Sequence, residues 1–423
     1  MKILTVTTLF PYANNPKHGV FIETRLRHLK LHYPDVEVKV IAPVPWFPFR
    51  QQVFGSYGSY ANAPVREERF GMEVYHPRFV VVPKVGMTLT PHTLANTIYK
   101  QAKRLIEQGF DFDVIDGHYF YPDGVAIAQV AKRLGKPFTV TARGTDINLI
   151  PEYDKPRKDI QAVLNQSDHN MAVCEALRQE MIKLGAKPDS VSTLRNGVDL
   201  QLFSYADEQK QHILRKQLHL PEQQTILLSV GHLIERKGHY LAIEALRHLP
   251  DVLLLIAGNG PDEKQLKQLV EKERLQSRVI FLGSLSQNEL AAYYSTANAL
   301  ILASSREGWA NVLLESMACG TPVVATNIWG TPEVVQSQDA GVLVDRNPQA
   351  IAQGIKTLLS NPPERQDTRR YAEQFDWLTT SRGQHDIFST IVSARQTDVS
   401  LNNTHVNTPS AKVQTLSGDE RIT

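Results

Sequence analysis

The chain has 423 residues, 42% of them hydrophobic and 21% charged, with 46 Lys and Arg against 44 Asp and Glu for a net charge of +2. That length exceeds one ordinary core and predicts two domains of about 150–200 residues each. Only two cysteines occur, Cys174 and Cys319; they exclude a disulfide scaffold and a cysteine-built zinc site, and suit a reducing compartment.

From the start, Met1-Lys2-Ile3-Leu4-Thr5-Val6 lacks a long apolar stretch and a small-residue cleavage site, so it reads as a first strand and not as a signal peptide. No later segment approaches the ~18 apolar residues of a membrane span, and a cytoplasmic protein is expected. Apolar runs near 2–8, 36–42, 113–117, 137–141, 169–173 and 190–194 alternate with helical patterns such as 21–32 and 124–134. This strand-then-helix rhythm predicts a parallel sheet covered on both faces. Residues 44–82 are less regular. There Trp46, Phe47, Phe49, Phe54, Tyr57 and Tyr60 gather in a loop punctuated by proline and glycine, which either packs on its own domain or contacts a lipid surface or acceptor.

The rhythm stops at Arg195-Asn196-Gly197-Val198-Asp199, where Asn-Gly marks a turn. A second series of strands begins at 225–228 and continues at 252–257, 278–282, 298–302, 322–326 and 341–344. The expected architecture is α/β, with two successive open parallel sheets. The first domain is 1–197 and the second 198–376. A last helix, 377–394, has no strand after it and is free to pack back on the first domain. Residues 395–423 are polar and read as a disordered tail. Charge is uneven: residues 1–200 hold 25 Lys and Arg against 20 Asp and Glu, the remainder 21 against 24. A basic first half fits anionic lipid or phosphate-bearing ligands, and random drift fits it equally.

Open sheets of this kind bind ligands beyond the carboxyl ends of their strands, so the turns there come first. Gly258-Asn259-Gly260-Pro261 is glycine-rich but is not a dinucleotide fingerprint, because Glu263 stands at the third glycine position. Gly231-His232-Leu233-Ile234-Glu235-Arg236-Lys237-Gly238 is not a Walker A loop. Its two adjacent cations, Arg236 and Lys237, at the mouth of a helix would nevertheless clamp a pyrophosphate. Ser305-Arg306-Glu307-Gly308-Trp309-Ala310-Asn311-Val312-Leu313-Leu314-Glu315 follows an apolar strand and leads into a helix. Eight helical steps cover ~12 Å, enough for Glu307 and Glu315 to reach two parts of one extended ligand while the helix start faces phosphates between them. Asp111-Phe112-Asp113 has the Asp-x-Asp spacing of a metal site, but it reads as the flank of the strand at 114–116.

Together these motifs, with Asn196-Gly197-Val198-Asp199, Phe203 and Ala318-Cys319-Gly320-Thr321-Pro322, occur in an order that resembles glycosyltransferase family 4, over roughly 1–392. The resemblance implies the GT-B fold of two Rossmann-like domains facing across a cleft, a retaining transfer from a nucleotide sugar, and no cofactor or metal. It places Glu307 on the transferred sugar, Glu315 on the ribose, and Arg236 and Lys237 on the leaving diphosphate. Gly19 would let backbone approach the phosphates, and His118 would lie near the reacting sugar. Gly231, Gly260, Gly308, Trp309, Asn311 and Val312 would complete the donor site, bordered by Trp329-Gly330-Thr331-Pro332-Glu333. Two positions depart from the usual pattern: His232 stands where Arg is common, and Arg143-Gly144-Thr145-Asp146 replaces His-Gly-Ser-Asp. The implied partners are a nucleotide-sugar donor and a glycan or lipid-linked acceptor of bacterial surface-polysaccharide synthesis. A peripheral contact with the inner membrane surface is expected, and no nucleic acid. The rival readings are a nucleotide-sugar epimerase and a catalytically silent binding protein of the same fold.

Overall fold

The computed structural model describes every residue except 52, 54, 82–85 and 407–423. In the first domain, eight strands lie in the order Val191–Thr193, His169–Ala172, Phe138–Ala142, Val114–His118, Lys2–Val6, Glu37–Ile41, Met72–Tyr75 and Arg66–Arg69. The central strands Val114–His118 and Phe138–Ala142 are buried at every position, the polar Asp116, His118, Thr139 and Thr141 included. Every pairing is parallel except the last, Arg66–Arg69 on Met72–Tyr75. The apolar rhythm does not reveal that hairpin. Its edge strand is Arg-Glu-Glu-Arg, the charged composition that protects a sheet edge, and its two-residue turn holds Phe70 and Gly71 at φ 50° and 69°, the left-handed pair that suits a tight hairpin.

The second sheet is wholly parallel, in the order Val279–Gly283, Val252–Ala257, Thr225–Val230, Ala299–Leu302, Val323–Thr326 and Gly341–Val344. From Thr225–Val230 the chain winds outward in one direction, then returns to Ala299–Leu302 and winds in the other. The two turns that leave these neighbouring strands therefore flank a topological switch point, where such sheets open a crevice. In the first sheet the same reversal falls between Lys2–Val6 and Val114–His118.

The final helix, Trp377–Val406, leaves the second domain and lies on Val20–His32 of the first. The rings of His28 and Trp377 stack at 5.3 Å, and those of Tyr33 and His385 at 3.9 Å. Arg25 is wholly buried under this helix, and its Nε donates to Oε1 of Gln384 at 2.9 Å. Helix continues through 395–406, part of the stretch expected to be a disordered tail; residues 407–423 lie outside the described ones. Among the described residues, no helix is long and apolar enough to cross a membrane.

Candidate active site

The turn after Thr225–Val230 carries Arg236 and Lys237, and the turn after Ala299–Leu302 carries Ser304 to Ala310. Because the strands are parallel neighbours, both turns emerge at one sheet edge and meet. Lys237 Nζ donates to Glu307 Oε1 at 2.6 Å, and Ser304 Oγ donates to the same oxygen at 2.6 Å. Arg236 Nη1 donates to the Arg306 carbonyl at 2.6 Å and lies 3.8 Å from Glu307 Oε2. Burial by itself raises the Glu307 carboxyl, but the charge and hydrogen bond of Lys237, then Ser304 and Arg236, hold it below its ordinary value. The result is a fixed carboxylate with two cations beside it. Gly231 sits under Lys237, the position of its missing Cβ lying 3.5 Å from the lysine Cδ.

The helix after this turn is Asn311–Ala318. Glu307 thus precedes it, and the two glutamates do not share one helix as their spacing predicts. Glu315 is half-buried on the helix, and its Oε2 accepts from the Tyr294 hydroxyl at 2.9 Å. Burial pushes Glu315 up to about 7, with the tyrosine hydrogen bond opposing. Glu307 and Glu315 line one cavity of about 300 Å³ together with Arg236, Lys237, Gly308, Trp309, Asn311 and Val312.

The first domain closes the other side of that cavity through Phe21 and the segment that begins at Arg143. The domains touch at Gly308, where an added Cβ would lie 2.0 Å from the Arg143 carbonyl oxygen. Asn196, in the linker, holds both sides. Its carbonyl accepts from Trp309 Nε1 at 3.1 Å, its Nδ2 donates to Asn311 Oδ1 at 3.2 Å, and its Oδ1 accepts from Arg143 Nη1 at 3.3 Å.

Three of the expected residues, His118, Gly19 and Gly260, do not line this cavity. His118 ends strand Val114–His118 fully buried, behind the cavity wall. Its Nδ1 accepts from Arg143 Nη2 at 2.7 Å and its Nε2 lies 3.2 Å from Asp116 Oδ2. Burial drives it down to about 4 against the pull of Asp116, so the ring is neutral. Gly19, at φ 66°, begins the helix that carries Phe21; its missing Cβ would fall 2.2 Å from the Leu9 carbonyl oxygen. Its freedom serves close packing of that loop. Gly260 packs on the Leu233 backbone and faces a separate shallow depression. Glu333 does not border the cavity either. It accepts from the backbone amides of Glu175 and Ala176 at 2.9 and 3.0 Å and from Arg195 Nη2 at 2.6 Å, linking the second domain to the start of a first-domain helix.

Both aspartates of Asp-x-Asp are engaged at the amino end of their strand, Asp113 Oδ2 with the Lys2 amide at 2.7 Å and Asp111 Oδ1 with Lys136 Nζ at 2.6 Å. The cavity lies beyond the carboxyl ends. Ser304 and Tyr294 were missed in the sequence. Ser304 adjoins the quoted motif and was within reach of a strand-end argument; Tyr294 comes from the helix Gln287–Thr296, and no spacing signals it.

Two family models match the chain: Glycosyltransferase Family 4 over residues 23–202 and Glycosyl transferases group 1 over 210–375. Among curated proteins, TuaC of Bacillus subtilis (strain 168), a glycosyltransferase named for teichuronic acid biosynthesis, is 29% identical over 360 residues, covering 84% of this chain and 88% of the relative. Among solved structures, sucrose-phosphate synthase from Thermosynechococcus elongatus superposes with a TM-score of 0.78 at 19% identity, covering 93% of this chain and all of that one. Anabaena HepE, solved in complex with UDP-glucose, gives a TM-score of 0.69 at 20% identity, over 92% of this chain and 100% of its own.

Proposed function

We propose that this chain, a glycosyltransferase that belongs to family 4 and has the GT-B fold, moves a sugar from a nucleoside diphosphate donor to a hydroxyl acceptor with retention at the anomeric carbon. The observation that carries the reading is the Lys237–Glu307 pair, held at 2.6 Å beside Arg236 at the mouth of the second-domain switch point. Arg236, Lys237 and the start of Asn311–Ala318 offset the charge that develops on the departing diphosphate. Glu315 accepts from the ribose hydroxyls, and Glu307 orients the transferred sugar. Glu307 Oε1 is tied to Lys237 and Ser304, which favours attack from the face the nucleotide leaves, with the leaving phosphate taking the acceptor proton. Charge offset by Arg236 and Lys237 makes the chemistry independent of a divalent metal. HepE, with UDP-glucose in its structure, supports a nucleotide-sugar donor.

The acceptor is a surface glycan or its lipid-linked precursor, by likeness to TuaC. Exposed Trp46, Phe49 and Tyr57 on the first domain support a peripheral contact with an anionic membrane surface, on the cytoplasmic side. The test is the purified protein incubated with a panel of nucleotide sugars, with and without acceptor glycans, and product anomers read by NMR. Donor consumed only with acceptor, giving the donor's anomeric configuration, is expected. Acceptor-free conversion to an epimeric nucleotide sugar would replace this reading with an epimerase. No turnover and no donor hydrolysis with any member of the panel would leave a silent binding protein.

A further inference from the structure

Arg143 brings to the cavity a positive charge that, among the described residues, makes no direct ion pair, although Asp116 and Asp146 attract it through space. Its guanidinium is held by two uncharged acceptors, Nδ1 of His118 at 2.7 Å and Oδ1 of Asn196 at 3.3 Å. Its Nε is buried and, among the described residues, has no hydrogen-bond partner. Both acids accept hydrogen bonds from groups other than this guanidinium. Asp116 Oδ2 takes hydrogen bonds from Thr5 and Gln384, and Asp146 takes the backbone amides of Phe120, Arg143 and Gly144. The guanidinium lies 5.4 Å from the Phe21 ring centroid, and both side chains line the 300 Å³ cavity.

The contrast with the facing wall matters. Lys237 is paired with Glu307 at 2.6 Å, and with Arg236 beside it forms the clamp for a diphosphate. A half-buried cation without a directly paired counter-charge is costly, and a guanidinium kept rigid by neutral partners keeps its fork free to attract a planar, two-oxygen anion. Resting on the transferase reading above, we propose that Arg143 is a second anion site of the cleft, recognising a carboxylate or phosphate on the transferred sugar or the acceptor and not the donor's diphosphate. It lies on the first-domain wall, across from the clamp, and so sorts substrates by an acidic group that a neutral hexose lacks.

The test is calorimetry on the full chain and on Arg143→Met and Arg143→Lys, the second keeping the charge but losing the fork. The donor arm compares UDP, UDP-glucose and UDP-glucuronate; the acceptor arm compares glucose with glucose 6-phosphate, with and without UDP. Arg143→Met is expected to weaken either UDP-glucuronate or glucose 6-phosphate by about tenfold or more, the scale of one lost charge-assisted hydrogen bond. UDP and UDP-glucose should hold, and Arg143→Lys should fall between. Loss in the first arm assigns the anion to the transferred sugar, loss in the second to the acceptor. Equal losses on UDP and UDP-glucose would reduce Arg143 to a prop for His118. A wild type that prefers neither acidic probe over its neutral counterpart would overturn the proposal as well. If no uridine ligand binds at all, that failure belongs to the donor reading, and glucose 6-phosphate against glucose on the free protein still decides Arg143.

Discussion

Replacing Gly308 by alanine puts one methyl group where the two domains meet. The added Cβ would lie 2.0 Å from the Arg143 carbonyl oxygen and 3.0 Å from the Gly144 Cα, and real Cβ atoms essentially never approach closer than 3.0 Å. Gly308 is absent from the residues with positive φ, so alanine fits the second domain by itself and the clash falls on the contact between domains. Relief requires the walls to separate by about 1 Å. A 1 Å misplacement of reacting groups costs on the order of 100-fold in rate, or about 2.7 kcal/mol at ~1.36 kcal/mol per decade. Steady-state transfer should therefore show kcat reduced about 100-fold. UDP affinity and melting temperature should barely move, because Arg236, Lys237, Glu307 and Glu315 all sit in the undisturbed second domain. Wild-type kcat in Gly308→Ala would refute the claim that this contact sets the working geometry. A large fall in melting temperature alongside the loss would locate the damage in the fold instead.

Four further outcomes follow from the site. Glu307→Gln should lower kcat by about 100-fold or more, the scale of a lost electrostatic contact to the reacting centre, with nucleotide affinity nearly kept; lost affinity with normal turnover would contradict its place on the sugar. Glu315, raised from 4.5 to about 7 by burial, binds a proton in the fold that it lacks when unfolded, so its contribution to stability is complete below pH 4.5 and disappears as pH rises through about 7. Ribose hydroxyls donate more strongly to the ionised form, so UDP-glucose should bind more tightly as pH rises through 7, and Glu315→Gln should bind with no such dependence; a pH-independent wild type would remove the ribose role. Turnover should survive EDTA while Lys237→Ala loses ~2–4 kcal/mol of transition-state stabilisation, and activity abolished by chelation and restored by magnesium would overturn metal independence. Trp46→Glu should weaken co-sedimentation with anionic vesicles, and binding indifferent to both anionic lipid and this substitution would exclude the aromatic surface.

The strands and both catalytic-side turns were legible because each is encoded locally. A strand such as Val252–Ala257, buried on two faces, is an apolar run, and a turn at a strand's carboxyl end keeps its chemistry within a few residues, as from Gly231 to Lys237 or Ser305 to Glu315. The Arg66–Arg69 strand was not legible, since an edge needs charge where a core needs apolar side chains. The setting of His118 was hidden for a different reason. Its ring is neutral and walled off because Arg143 comes from another strand end, and Asp116 beside it is tied to Gln384, 268 residues further along the chain. Glu333 likewise looked like part of a donor loop, and only the packed domains show its two oxygens taken by Glu175 and Ala176.

The return of Trp377–Val406 onto the first domain bears on how the chain is made. A ribosome finishes the eight-stranded sheet of that domain by Thr193, yet Arg25 is buried only once Gln384 arrives to accept from its Nε. Roughly 190 more residues must be synthesised first, which at ~5–20 residues per second takes about 10–40 s. Through that interval the face of Val20–His32 waits uncovered while the entire second domain emerges and folds beside it. The last helix then acts as a closing clasp, so a chain truncated before it would leave the first domain unfinished.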